Sequence, residues 1–413
     1  MKAVLRYGSF ALLFPLLMWL GATSPVFAGP SVVVSPASGH PNSKVNVSGS
    51  GFVAYEAVDI YFDTTDLLLV STDATGAFGK HQLIVPANAL PGTHWITGVG
   101  RKGGDSAQAP FAVTTVWAEV GFSPHGKRNN PYENVITTGN ASNLDIAWTA
   151  TTGNYVYSSP AVEYGLVYVG SEDGKLYAFN ASTGATLWTA TTTGDVLSSP
   201  AVANGVVYVG SDDGKLYAFN ANTGALLSGW PVTTGNFIYS SPAVANGVVY
   251  VGSSDDNLYA FNARTGATLW TATTGSQVDS SPAVANGVVY VGSLDGKLYA
   301  FNATTGAVLW TATTVSYIDS SPAVANGVVY VGSTDNKVYA FDASYGATLW
   351  TATTGNYVES SPAVSDGVVY VGSFDDKLYS FALEGGNNAV YRGSAAPPSY
   401  ASLHPDYRLK PAF

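Results

Sequence analysis

The stretch SSPAVANGVVYVGSDDGKLYAFNANTG, from Ser198 to Gly224, decides the fold. Ser198 to Ala203 and Val206 to Ser211 read as strands. Asn204-Gly205 between them is a two-residue hairpin signal, because such turns need positive φ at both positions. Asp212-Asp213-Gly214 turns the chain into a third strand, Lys215 to Ala221, and Asn222-Thr223-Gly224 leads into a fourth that runs to Trp230. Val206-Val207-Tyr208-Val209 and Leu216-Tyr217-Ala218-Phe219 are apolar on both faces. A sheet wetted on one side would alternate, so this unit expects a neighbour on each face.

The neighbours are copies of itself. Ser-Ser-Pro-Ala-Val begins at Ser158, Ser198, Ser240, Ser280, Ser320 and Ser360, at spacings of 40, 42, 40, 40 and 40. A sustained period near forty in a strand-rich chain is that of a β-propeller built from four-stranded blades. The longer spacing arises where Leu226-Leu227-Ser228-Gly229-Trp230 replaces the usual Thr-Leu-Trp, and reads as a bulge or a lengthened hairpin. Trp148, Trp188, Trp230, Trp270, Trp310 and Trp350 recur once per unit. Burying an indole contributes roughly 4–6 kcal/mol before entropy. These six are read as docking each blade on the next, and a carbohydrate-stacking platform is the alternative use. The last repeat ends after Phe381 with no Trp strand, while Asp145-Ile146-Ala147-Trp148 precedes the first repeat. That lead-in is expected to complete the final blade and close a ring of six. The alternative is seven, with the flanks 117–144 and 387–413 forming an irregular extra blade.

Ahead of this array, residues 31–115 show about seven short strands: 31–36, 44–52, 57–63, 66–73, 78–86, 92–99 and 109–115. Such spacing suggests a small two-sheet sandwich. The chain is therefore expected to be all-β: a sandwich over 29–115, a linker and lead-in over 116–145, a propeller over 146–386 and a tail over 387–413. Lys2 and Arg6, an apolar run from Phe10 to Leu20 and Val26-Phe27-Ala28 read as a secretory signal over 1–28. After its removal no segment has the length to span a bilayer. The expected location is outside the cell or in its envelope.

Composition narrows the chemistry. Of 413 residues 11% are charged, and the formal net charge is −11, which argues against coating nucleic acid. The chain has no Cys, which excludes disulfides, thiolate metal sites and a thiol nucleophile. Its five His include none between His125 and His404, so the repeats carry no imidazole base. Asp173, Asp213, Asp255, Asp295, Asp335 and Asp375 recur at turns, and six carboxylates could suggest calcium. Asp also suits turn geometry by itself, and no stretch has the ligand spacing of a calcium loop. Lys175, Lys215, Lys297, Lys337 and Lys377 stand two residues on, where they would weakly neutralise these carboxylates.

Two resemblances rest on particular residues. Ala178-Phe179-Asn180-Ala181-Ser182-Thr183-Gly184-Ala185-Thr186-Leu187-Trp188, with the upstream Ser-Pro-Ala-Val and Gly-Val-Val-Tyr-Val-Gly-Ser, resembles the docking motif of pyrroloquinoline-quinone (PQQ) repeat propellers over about 146–386. That group includes quinoprotein alcohol dehydrogenases and the barrel-assembly lipoprotein BamB. The resemblance implies the fold. The enzymes' paired Cys, calcium ligands and catalytic Asp have no counterpart here, so no cofactor is expected. PQQ with calcium is what an oxidoreductase of this type would require. Ser48-Gly49-Ser50-Gly51-Phe52, Val58 to Asp63 and Pro110-Phe111-Ala112-Val113 resemble bacterial surface immunoglobulin-like domains of the IPT/TIG kind, which implies a spacer or adhesive role.

Where the frame repeats, the variable positions carry the information. Tyr157, Leu197, Tyr239, Asp279, Asp319 and Glu359 stand just ahead of each Ser-Ser-Pro, with Tyr155, Phe237, Tyr317 and Tyr357 close by. They belong to the loops that pass from one blade to the next. The expectation is a channel mouth with an acidic arc facing an aromatic arc, suited to a cationic or amphipathic ligand; drift at exposed loops is the plainer account. The leading function is a secreted, non-catalytic, monomeric scaffold that binds a protein or cell-surface partner. The alternatives are a PQQ-dependent oxidoreductase, and a hydrolase or lyase using Asp279 and Asp319.

Overall fold

The computed structural model describes residues 29–114, 135–136, 141–163, 165–365 and 367–382. The signal segment 1–28, most of 116–140 and the tail 387–413 lie outside the described residues. The chain divides into two compact units, with the boundary at Thr114–Thr115.

The first unit holds β1 (Ser31–Ser35), β2 (Ser38–Gly39), β3 (Lys44–Ser50), β4 (Ala57–Phe62), β5 (Thr65–Ser71), β6 (Phe78–Ile84), β7 (Gly92–Gly100) and β8 (Ser106–Val113). They form two sheets, ordered β1-β3-β6 and β2-β8-β7-β4-β5. Alternate residues of both sheets meet in one apolar core: Val32, Val45 and Val47 from the first, and Val58, Ile60, Ile96 and Phe111 from the second. Glu56 is buried among them, and its carboxylate accepts backbone N–H bonds from Val53 at 2.7 Å, Lys102 at 2.9 Å and Gly103 at 3.2 Å.

The second unit repeats one sheet. Blade one is β9 (Ala161–Glu163), β10 (Leu166–Ser171), β11 (Lys175–Asn180) and β12 (Thr186–Thr191), antiparallel in the order β12-β11-β10-β9. Five more sheets follow, opening at Ala201, Ala243, Ala283, Ala323 and Ala363. The Asn-Gly hairpins have the geometry their residues permit: φ is 52° at Asn204 and 77° at Gly205. Innermost strands touch in succession along the series. Tyr168, Leu176 and Ala178 of blade one pack on Val207, Val209, Tyr217 and Phe219 of blade two, and the later blades repeat this. Both faces of the middle strands in blades one to five are therefore dry, which is why their sequence does not alternate.

Two expectations need correction. In blade two the fourth strand is Val232–Thr233, beyond Trp230 rather than the run leading to it. Leu226 makes a lone bridge to Phe219, and the extra residues form a separate turn that still delivers Trp230 to the core. The second correction concerns closure. Asp145–Trp148 lie in no strand, and the sixth sheet has three strands: Ala363–Ser365, Val368–Ser373 and Lys377–Ala382. Trp148 nevertheless donates to Ala181 of blade one, the contact that the fourth-strand Trp188 makes with its following blade.

Candidate functional site

Three sets of repeated contacts build the frame that carries the variable residues. The first is the indole. Trp188 Nε1 donates to the Ala221 carbonyl of blade two at 3.0 Å, Trp270 to Ala303 at 3.0 Å and Trp310 to Ala343 at 3.1 Å. Trp148 donates in the same way to Ala181 of blade one at 2.9 Å. Each ring lies over the glycine of the next Thr-Gly or Tyr-Gly turn: a Cβ on Gly224 would come within 2.7 Å of the Trp188 ring, and one on Gly306 within 2.7 Å of Trp270. Trp230 is buried, but its Nε1 has no hydrogen-bond partner among the described residues. Trp350 is more than a third exposed.

The second set is a serine chain along the innermost strands. Ser198 Oγ donates to the Ser240 carbonyl at 3.1 Å, Ser280 Oγ to Ser320 at 3.1 Å and Ser320 Oγ to Ser360 at 3.0 Å. The third set is a tyrosine latch on the turn carboxylates. In every blade a Tyr hydroxyl donates to the Asp four residues earlier at 2.5–2.7 Å, from Tyr177 on Asp173 to Tyr379 on Asp375. Burial pushes the Asp173 and Asp295 carboxyls up, but the hydroxyl and its companion donors outweigh it and hold both below the usual range. Lys175, Lys215, Lys297 and Lys377 add ion pairs at 3.0–3.3 Å. The turn aspartates are thus tied into the blade's own wiring.

This frame sets the rim. The loop entering each blade runs beside that blade's own Asp turn. Glu172 N donates to the Tyr155 carbonyl at 3.0 Å, Asp212 N to Asp195 at 2.9 Å and Ser254 N to Phe237 at 2.9 Å. Leu294 and Gln277, Thr334 and Tyr317, and Phe374 and Tyr357 pair in the same way. Tyr155, Tyr157, Phe237, Tyr239, Tyr317 and Tyr357 are all exposed. Tyr155 meets Tyr157 edge-on at 6.5 Å, and Phe237 meets Tyr239 edge-on at 5.9 Å. Asp279 accepts from Ser254 Oγ at 2.6 Å, across the step from blade three to blade four.

Charge gathers at two places on this rim. Asp319 is pushed up to about 6, first by the surrounding protein and then by Asp279 and Glu359. Asp279 is raised by burial, with Ser254 opposing. Asp212 is likewise pushed up to about 6, by burial and then by Asp195, Asp213 and Glu172, and its Oδ1 has no hydrogen-bond partner among the described residues. Burial raises the Tyr239 hydroxyl, and the fields of Asp212, Asp279 and Asp195 add to it. Carboxylates therefore flank Tyr239 on both sides. The expected division into one acidic and one aromatic arc is replaced by an interleaved rim. The sequence reading missed Glu172, Asp195 and Asp212. The signal was present, since the position after Val-Gly-Ser varies as Glu172, Asp212, Ser254, Leu294, Thr334 and Phe374, but it had been absorbed into the turn.

The raised carboxyl gives a stability test. A folded-state value above the unfolded 3.8 means that the proton is held more tightly in the fold. The site is then neutral to stability below about pH 4, and costs stability progressively as pH rises to about 6. Asp319→Asn is expected to stabilise the protein at pH 7.5 by about 1 kcal/mol, a value discounted for water at the rim, and to leave stability unchanged at pH 3.5. Denaturant unfolding at the two pH values checks both halves.

PQQ carries three carboxylates of its own. The rim offers it Glu172, Asp195, Asp212, Asp279, Asp319 and Glu359, which repel such a ligand, and among the described residues no three His, Asp or Glu converge as metal ligands. The residues present do not fit that cofactor.

No curated protein matches the chain. Among solved structures, BamB from Moraxella catarrhalis is 22% identical, with a TM-score of 0.48, over 58% of this chain and 80% of its own. The computationally designed Ika8 protein is 15% identical, with a TM-score of 0.53, over 86% of this chain and 95% of its own. The WD40 β-propeller domain of Doa1 is 20% identical, with a TM-score of 0.42, over 53% of this chain and 75% of its own. A family model described as outer membrane protein assembly factor BamB matches residues 137–230, 228–317 and 295–398. Those matches run without a gap across the whole series of six propeller sheets and cover more than half of the sequence, so the chain belongs to the BamB family of β-propeller proteins.

Proposed function

We propose that this protein is a non-catalytic scaffold of the cell envelope that binds a cationic, amphipathic segment of a protein or surface partner on the blade-entry rim. The observation that carries the reading is the contrast between frame and rim. Indoles, serines and Tyr-Asp latches repeat almost unchanged, while the exposed positions beside them vary and supply carboxylates and aromatic rings. Raised carboxyls next to exposed rings suit an incoming ammonium or guanidinium group, which the field attracts and the ring faces then contact. The family description, outer membrane protein assembly factor, fits a binding role in the envelope. No helix among the described residues is long and apolar enough to cross a membrane.

In this reading residues 1–28 direct export and 146–386 form the binding propeller. The unit over 29–115 is an immunoglobulin-like sandwich of the IPT/TIG kind serving as a spacer. Its two-sheet core supports that assignment.

Calorimetric titration of the full chain tests the function, using a synthetic peptide of alternating Lys and Phe and its Glu-Phe counterpart. The basic peptide is expected to bind at pH 7.5, to weaken with salt, and to weaken at pH 5 as the rim carboxyls take up protons. The triple change Asp279→Asn, Asp319→Asn, Glu359→Gln is expected to cost about tenfold in affinity. Equal binding of both peptides, or an unchanged affinity in the triple variant, contradicts the reading.

A further inference from the structure

His94 of β7 joins two turns of the first unit, and its partners dictate its charge. Its Nδ1 lies 2.6 Å from Asp63 Oδ2, and its Nε2 lies 2.7 Å from the Leu90 carbonyl. A carbonyl oxygen only accepts, and so does an ionised carboxylate. A neutral imidazole has one N–H, so it satisfies one of these oxygens and turns a lone pair towards the other. The imidazolium donates to both. The ring also stacks on Phe62, tilted by 28° with centroids 4.9 Å apart, and an aromatic face attracts a cation. The His94 side chain is 16% exposed, which leaves these contacts largely unscreened.

Asp63 is held in place by more than the histidine. It follows β4 with φ of 51°, gives its N–H to the Trp95 carbonyl at 2.8 Å, and accepts from Trp95 N at 2.9 Å through Oδ1. Leu90 stands in the connection from β6 to β7. In that connection the Ala89 N–H donates to the Pro86 carbonyl at 3.0 Å, and Ala89 is buried in the core of the unit. His94 therefore ties the connection to the β4–β5 turn. Residues 85–91 carry no charged group, and His94 is paired with Phe111 of β8. Among the described residues Asp63 is the one charge that acts on the ring.

We propose that His94 is a proton-operated clasp: as imidazolium it fastens the β6–β7 connection to the β4–β5 turn, and loss of its proton loosens that connection and uncovers Phe62. Burial pushes the imidazole down, but the Asp63 bond, the Leu90 bond and the Asp63 charge outweigh it and raise it above the usual 6.5. Burial pushes the Asp63 carboxyl up, but the His94 bond, the Trp95 N–H and the His94 charge hold it below its usual range. The closed clasp thus binds its imidazole proton more tightly than an open one does. Its contribution to stability is fully present below about pH 6.5, until Asp63 itself takes up a proton in acid, and is lost as pH rises through the raised midpoint. Opening then becomes about tenfold more favourable for each pH unit by which the closed midpoint exceeds the open one. The clasp lies in the first unit and does not depend on the rim of the propeller.

Nitrogen NMR of the five imidazoles in the full chain tests the proposal. His94→Gln removes one of the five signals and so identifies it. His94 is expected to keep a proton on both ring nitrogens up to a midpoint above 6.5. Asp63→Asn keeps an acceptor for Trp95 N and tolerates positive φ, and it is expected to lower that midpoint. Amide exchange at Ala89 is read at each pH as protection relative to a free amide. Protection is expected to fall across the His94 midpoint in the native chain, by the factor that the displacement of the midpoint sets, and to stay level over the same range in Asp63→Asn. A native midpoint at or below 6.5, or the same midpoint in Asp63→Asn, overturns the charge assignment and the proposal with it. Level protection at Ala89 in the native chain, or the same fall in Asp63→Asn, shows that the proton does not operate the connection and overturns the clasp.

Discussion

Trp270→Ala is expected to destabilise the propeller by about 3–5 kcal/mol, the cost of emptying a buried aromatic site that cannot collapse. The indole sits between two blades. It lies 5.8 Å from the Tyr250 ring and 6.4 Å from Phe301, and it gives its one N–H to Ala303. Removing it opens a cavity and leaves that carbonyl with Tyr250 as its remaining donor among the described residues. For a unit of this size the midpoint of thermal unfolding should fall by roughly 2–4 °C per kcal/mol. Trp350→Ala is the comparison, because that ring is already 37% exposed and covers less of a neighbour. Its loss should cost well under half as much. Equal effects at the two sites would mean that the indoles act within their own blade and not as seals between blades.

Gly306→Ala should cost about 2–5 kcal/mol for two separate reasons. The residue has φ of 70°, where a side chain meets its own carbonyl at a cost of roughly 1–2 kcal/mol. Its Cβ would also stand 2.7 Å from the Trp270 ring, and pushing a docked indole outward adds roughly 1–3 kcal/mol. Gly205→Ala separates the two. Its φ is 77°, but a Cβ there meets nothing within 4 Å, so only the backbone cost applies. Denaturant midpoints for both variants should differ by the packing contribution. If they coincide, the ring does not rest on the turn in solution.

The repeating frame was legible in the residues because each signal is local. Asn204-Gly205 announces its hairpin through backbone freedom, and Val207 to Val209 announce a strand dry on both faces. A period of forty then stacks the units. The strands of the first unit were equally clear from their turns, apart from Ser38–Gly39, which is too short to carry a pattern. The misses have no comparable pattern in the residues. The tyrosine latch joins residues four apart, and in the sequence Tyr177 and Tyr217 look like ordinary core aromatics. Asp195 and Asp212 acquire meaning only when two loops run side by side. The fourth strand of blade two moved past Trp230 because a longer connection can turn in more than one place. The lead-in carried the pattern of a fourth strand, yet Asp145–Trp148 lie in no strand.

The central claim is that one blade's indole is locked into the next, which leaves only the rim free to choose a partner. Hydrogen exchange at the indole N–H groups, followed residue by residue by NMR, tests it most directly. Slow exchange is predicted for Trp188, Trp270 and Trp310, whose N–H groups are bonded to Ala221, Ala303 and Ala343 of the following blades, and faster exchange for Trp350 at the exposed end. Exchange at the rate of a free indole across all three would contradict the account.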